Sequence, residues 1–223
     1  MKRAVILAMS VVAAGANASV LDMFVTPQSF SITSGTYVST ASGAGIIGGQ
    51  RDIQASVTNN PFAQNLDVNV LAAGLAVVSN GFGTESDVML QYDRLDEAGN
   101  TGAGKVLQNG GTGASLLGAG DNHFVIRFVD NDKQVQVNAV LRKNGVVLSS
   151  GSATLPALSG ASVLNVAMNS ADMAQADSVT FTFKADASGD YGIRSIESAV
   201  PEPGILAVFG LGLAALVARR ARK

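Results

Sequence analysis

The sequence predicts an all-β fold: a single, jelly-roll-like β-sandwich, flanked by an N-terminal signal peptide and a C-terminal single transmembrane helix. Three observations carry this reading. Short runs of alternating apolar and polar residues recur through the middle of the chain, Gly-rich and Asn/Asp-rich turns separate them, and uninterrupted apolar stretches are confined to the two ends. At 223 residues, with 25 glycines and only 14% charged residues, the chain has the size and composition of one exported β-rich domain with no convincing amphipathic helix. It contains no cysteine, which excludes a disulfide framework, a thiolate zinc site and a cysteine nucleophile.

Residues 1–18 read as a signal peptide. Lys2 and Arg3 make the charged start, Ala4 to Ala14 the apolar core, and Ala16-Asn17-Ala18 an A-x-A cleavage site between Ala18 and Ser19. Residues 19–199 are assigned to the sandwich. Asp52 to Thr58, Leu66 to Val70, Val88 to Tyr92, Phe124 to Phe128, Val135 to Leu141 and Val179 to Phe183 alternate at period two. Val135, Val137, Ala139 and Leu141 should face the core, as should Val179, Phe181 and Phe183. The opposite faces, with Gln136, Asn138, Thr180 and Thr182, are polar and rich in amides.

Lys143-Asn144-Gly145-Val146 predicts a type I′ hairpin, since Asn-Gly supplies the two positive φ values that turn requires. Asp130-Asn131-Asp132-Lys133 is read as the preceding turn, giving a meander of three strands. Ala171 to Ala176 is read as one helical turn, and Ser195 to Gly204 as a tether.

Residues 200–223, VPEPGILAVFGLGLAALVARRARK, form a separate unit. Ile205 to Ala218 carries no charge and as a helix would be about 21 Å long, short of the roughly 30 Å hydrocarbon layer, so it is a marginal span. Arg219, Arg220, Arg222 and Lys223 fix its end in the cytoplasm by the positive-inside bias. Charge is segregated accordingly. Ser19 to Val200 holds nine bases against sixteen acids, about −7, which disfavours nucleic acid as a partner.

Candidate chemistry is sparse. Gly99-Asn-Thr-Gly-Ala-Gly104-Lys105-Val106 approaches a phosphate-binding loop, but Val106 replaces the hydroxyl residue that holds magnesium, so a flexible Gly-rich loop is expected. His123 is the single histidine, read as a strand-end residue near Asp121. Asp93, Asp96 and Glu97 are read as solvated loop acids, short of the paired carboxylates of glycoside hydrolysis. Asp130-Asn131-Asp132 and Asp186 to Asp190 offer oxygen ligands but lack EF-hand spacing, and are read as turns. No catalytic residue, metal ligand or cofactor is assigned.

The order Val200-Pro201-Glu202-Pro203-Gly204, apolar helix with Gly210-Leu211-Gly212, and terminal Arg cluster resembles a PEP-CTERM sorting domain of Gram-negative bacteria. The resemblance implies that Pro201, Glu202 and Pro203 form the sorting and processing motif. It further implies recognition by exosortase, a membrane-embedded cysteine protease or transpeptidase, and a link to exopolysaccharide production. The expected partners are therefore the Sec translocon and signal peptidase, exosortase, the inner membrane as a transient anchor on its periplasmic side, and exopolysaccharide. The expected destination is the cell surface or the extracellular matrix, as a non-enzymatic protein. The alternative is a carbohydrate-binding module for exopolysaccharide. A second stretch, Ile46-Ile47-Gly48-Gly49-Gln50-Arg51-Asp52 with a later Tyr92-Asp93 strand end, resembles the Gly-Gly-x-Arg-Asp opening of many PEP-CTERM surface proteins. It implies no activity, and Arg51-Asp52 is read as a local ion pair or turn at a strand start.

Overall fold

A computed structural model describes residues 19–94, 101–107, 111, 113–158 and 160–200. The signal-peptide, membrane-helix and basic-tail assignments lie outside these residues, as do Pro201, Glu202, Pro203, Asp96 and Glu97. Among the described residues, no helix is long and apolar enough to cross a membrane.

The strands in chain order are β1 (Ser19–Asp22), β2 (Gln28–Ile32), β3 (Thr36–Ser42), β4 (Gln50–Asn59), β5 (Leu66–Leu71), β6 (Leu75–Asn80) and β7 (Glu85–Tyr92). There follow β8 (Gly102–Ala103), β9 (His123–Asn131), β10 (Val135–Lys143), β11 (Val146–Leu155), β12 (Ser162–Ala167), β13 (Ser178–Ala185) and β14 (Tyr191–Ala199), with one short helix, α1 (Ser170–Met173), before β13. Two antiparallel sheets result. The first has the order β12-β9-β14-β6-β5-β2, with β1 also beside β14, and the second the order β11-β10-β13-β7-β4-β3-β8.

Alternation decides which side chains meet between the sheets. Val135, Val137, Ala139 and Leu141 of β10 and Val179, Phe181 and Phe183 of β13 are buried, as expected from their period-two pattern. Across from them, Phe124 meets Phe181 edge-on at 4.8 Å between ring centroids. Tyr191 stacks on Phe183 at 5.9 Å, and Phe128 approaches both of these rings. Rings at these separations add roughly 0.5–1.5 kcal/mol per pair beyond their buried area, so one aromatic seam joins β9 and β14 to β13. Asn169 caps α1 by accepting hydrogen bonds from the amides of Ala171 and Asp172, and Met173 is buried beneath it.

The Asn-Gly hairpin is present. Asn144 and Gly145 have φ of 50° and 77°, and β10 pairs with β11 around them. The three-strand meander is not. The turn at Asp130–Lys133 carries the chain from β9 in the first sheet to β10 in the second. Its Asn131 is fully buried and donates from Nδ2 to the carbonyls of Lys133 and Pro156, tying the crossover to the end of β11. A turn sequence of this kind reverses the chain without saying which sheet receives it.

The tether reading of Ser195 to Gly204 is also overturned over Ser195–Ala199. These residues belong to β14, bonded to β9 on one side and to β1 on the other, with Ile196 and Ser198 fully buried. Register shifts around Ile193 displace the apolar residues Tyr191, Ile193 and Ile196 from strict alternation, which hides the strand in the sequence. Across β14 and β9, Glu197 accepts from Arg127 at 2.9 Å, and with Ser195 this contact lowers the Glu197 carboxyl below its ordinary value. Because a depressed carboxylate stabilises the fold above its unfolded pKa, Glu197→Gln should cost about 0.5 kcal/mol at pH 7. That gap should close as the pH is lowered, read from urea midpoints.

Candidate functional site

The Gly-Gly-x-Arg-Asp stretch turns out to be the polar centre of the sandwich. Gly48 and Gly49 form a single 3-10 turn with Ile47, at φ of 73° and 90°, and a Cβ on Gly48 would come within 2.5 Å of Arg94 Cγ. That turn starts β4 in the register that sends Arg51 inward, where it is wholly buried. Arg51 does not pair with Asp52. Its Nη1 donates to Asp22 Oδ2 at 2.7 Å, Nε to Gln28 Oε1 at 2.9 Å and Nη2 to the Thr26 carbonyl at 2.8 Å. Asp52 lies on the other face of β4 and accepts from Thr40 Oγ1.

Asp22 is shared further, accepting from the Tyr92 hydroxyl at 3.1 Å and from the Phe24 amide at 2.7 Å. The Phe24 ring lies 5.4 Å from the guanidinium carbon, and Phe24 itself sits at φ 55°, a conformation unfavourable for an aromatic residue. Burial pushes the Asp22 carboxyl up while the Arg51 charge and hydrogen bonds draw it down; burial and the Asp22 charge raise Tyr92, keeping its hydroxyl a donor. The two halves of the Gly-Gly-x-Arg-Asp and Tyr-Asp resemblance thus meet at Asp22, a residue sequence reasoning missed. An unpaired buried arginine would be prohibitive, so a distant acid was required, but nothing local marks which of sixteen it is. This centre is sealed from solvent and is structural.

The accessible polar surface is the outer face of the second sheet. Register places Ser152, Asn138, Thr182, Met89 and Gln54 side by side across β11, β10, β13, β7 and β4, with Gln136, Lys184 and Asp87 in the adjacent row. All of these except Gln54 line an open cleft of about 500 Å³, and Gln54 beside it donates to Met89 Sδ and accepts from the Leu107 amide. Lys184 and Asp87 pair at 3.3 Å, so the floor is polar but locally neutral. Amides and hydroxyls in a row can donate and accept at several successive points, which suits a neutral, hydroxyl-rich ligand. The amide-rich alternation of β10 and β13 was the legible signal for this face.

The other chemical candidates are absorbed by structure. His123 opens β9 with Nδ1 at 2.7 Å from Asn122 Oδ1, and Asp121 is buried, accepting from Ser198. Asp93 is not a solvated acid: it is buried and accepts from Gln91 Nε2 at 2.6 Å. The described part of the phosphate-loop-like segment is not a free loop, because Gly102–Ala103 forms β8 against Tyr37 and Val38 at the sheet edge. Asp130, Asp132 and Asp190 each accept backbone amide hydrogens, from Asn131 and Gly160, from Asp190, and from Asn80 respectively. They act as turn formers.

The end of β14 sets the starting point of the sorting tail. Ala199 accepts from the Asn122 amide, Ser198 is paired with Ser19, and one residue, Val200, separates the strand from Pro201. The residue after the expected signal cleavage and the residue before the sorting motif therefore lie at one end of one sheet.

Residues 199–223 match the family description "PEP-CTERM protein-sorting motif". The chain carries that motif, which implies an exported protein sorted by exosortase. No curated protein matches the chain. Among solved structures, similar chains include a carbohydrate-binding module of family 29 (10% identity, TM-score 0.38, covering 77% of this chain and 89% of that one). Another is the module CBM29_1 from Piromyces equi (9%, TM-score 0.36, 82% and 98%). A third is the family 11 module of a cellulosomal cellulase of Clostridium thermocellum (8%, TM-score 0.36, 81% and 94%).

Proposed function

We propose that this protein is a non-enzymatic component of the cell surface or extracellular matrix that holds exopolysaccharide on the outer face of its second sheet. In this reading it leaves the cytoplasm through the Sec translocon and signal peptidase cuts it between Ala18 and Ser19. The tail then anchors it briefly in the inner membrane until exosortase acts at Pro201-Glu202-Pro203. The observation that carries the binding role is the set of amides and hydroxyls in the cleft, Gln136 and Asn138 on β10, Ser152 on β11 and Thr182 on β13. Each hydrogen bond exchanged with water contributes about 1 kcal/mol net, so one cleft holds a sugar chain weakly. Repeated epitopes on a polymer multiply that contact without new chemistry.

The test is affinity electrophoresis of residues 19–200 in gels containing the exopolysaccharide of the producing bacterium. The wild-type sandwich should be retarded, and Gln136→Ala/Asn138→Ala should lose about tenfold in affinity by removing two hydrogen-bonding amides. Unretarded wild type, or equal retardation of the two proteins, contradicts the reading.

A further inference from the structure

The end of the sandwich remote from Ala199 carries two exposed phenylalanines that the core does not use. Phe62, between β4 and β5, and Phe82, between β6 and β7, lie 5.2 Å apart between centroids, tilted by 37°, and remain 56% and 72% exposed. An exposed pair of this kind forgoes roughly 2 kcal/mol per ring of available burial, so its placement needs a reason. The loops that hold it are not slack. Asn60 Oδ1 accepts from the Gln64 amide and the Thr84 hydroxyl, while its Nδ2 donates to the carbonyls of Thr33 and Gln64. Phe62 rests on Gly83, which has φ 76° and where a Cβ would come within 2.7 Å of the ring, and the Gly83 amide donates to Ser188. The two rings are thus preorganised, with little ordering entropy left to lose on binding.

Position and area narrow the occupant. Asn80 and Gly81 adjoin the start of β14, where Asp190 accepts from the Asn80 amide, whereas the sorting tail leaves its far end, about 25 Å away along the strand. The pair consequently lies at the opposite end of β14 from Ala199. Its exposed area is about 250 Å², far below the roughly 800 Å² per partner of a stable protein interface but ample for one sugar ring. Asn59 and Glu85, each three residues along the chain from one of the two rings and bonded to each other at 3.5 Å, supply an amide and a carboxylate for hydroxyl groups. Glu85 is two residues from Asp87 of the cleft on the same face of β7, about 7 Å along the strand.

We infer that Phe62 and Phe82 form a stacking site for a neutral pyranose ring of the exopolysaccharide, continuing the hydrogen-bonding cleft onto the tip of the sandwich. The inference rests on the polysaccharide reading above. The ring's axial C–H face lies on the aromatic pair, and its equatorial hydroxyls meet Asn59 and Glu85. The chain has no tryptophan, so Phe82→Trp installs a single reporter at the site.

Adding the exopolysaccharide of the producing bacterium to Phe82→Trp protein should produce a saturable change in tryptophan emission. Phe62→Ala/Phe82→Ala, checked for an unchanged melting temperature, should be retarded about fivefold to tenfold less in affinity electrophoresis. Unchanged emission, with the wild type still retarded and the Gln136→Ala/Asn138→Ala protein released, overturns this inference and leaves the cleft reading standing. No retardation of the wild type and no emission change overturns both. Wild-type binding to anionic phospholipid vesicles in place of polysaccharide, lost in the double alanine variant, also overturns it.

Discussion

Arg51→Met is expected to cost about 3–5 kcal/mol of folding stability, roughly a fifth or more of the 5–15 kcal/mol that domains usually have. The loss arises less from the ion pair itself than from what the substitution strands. Asp22 is wholly buried and would keep only the Tyr92 hydroxyl and the Phe24 amide as donors, while Gln28 Oε1 and the Thr26 carbonyl would lose theirs. Asp22→Asn should cost a similar amount, because a guanidinium cannot shed its charge in the interior. The double variant Arg51→Met/Asp22→Asn should cost clearly less than the sum of the two singles, since neither partner is left charged and alone. Urea unfolding of the four proteins, residues 19–200, measures the cycle. Additive losses would show that Arg51 and Asp22 act independently and that the short contact between them contributes nothing.

The second large effect concerns fate rather than stability. Under the proposed sorting role, replacing Pro201, Glu202 and Pro203 with alanine should leave a longer form retained in the inner-membrane fraction, because the motif is gone while the apolar run and the bases remain. The melting temperature of the sandwich should not change, since β14 ends at Ala199, before the motif. Immunoblots of fractionated cells give the result directly. A variant released at normal size would show that processing does not read these three residues.

The sandwich was legible wherever one face of a strand is apolar and the other polar. Val135 to Leu141 and Val179 to Phe183 show their core faces in the sequence because nothing disturbs the period of two. β14 was not legible: its bulges shift the apolar residues, and Gly192, Arg194 and Glu197 give it the composition of a linker. β1 escaped notice for another reason. A strand of four residues has too little length to show a period, yet Asp22 at its end supplies the counter-charge for the core. The turn at Asp130–Lys133 was visible as a turn but not as a crossing, because turn chemistry fixes local φ and ψ and leaves the choice of sheet to long-range packing.

The candidate site divides in the same way. The polar faces of β10 and β13 could be read from Gln136, Asn138 and Thr182, but their alignment with Asp87, Met89 and Ser152 depends on a strand order that no local pattern carries. Phe62 and Phe82 lie twenty residues apart in separate loops, and their rings meet through the Asn60–Thr84 hydrogen bond and the packing of Phe62 on Gly83.

The central claim is that the sandwich is made as a precursor whose two ends are removed, and intact-mass measurement in strains with and without exosortase tests it most directly. With the enzyme present, the surface or released protein should begin at Ser19 and lack the apolar run and the terminal bases. Without it, the recovered species should begin at Ser19, retain the chain through Lys223 and stay with the inner membrane. Identical masses and locations in the two strains would contradict the account.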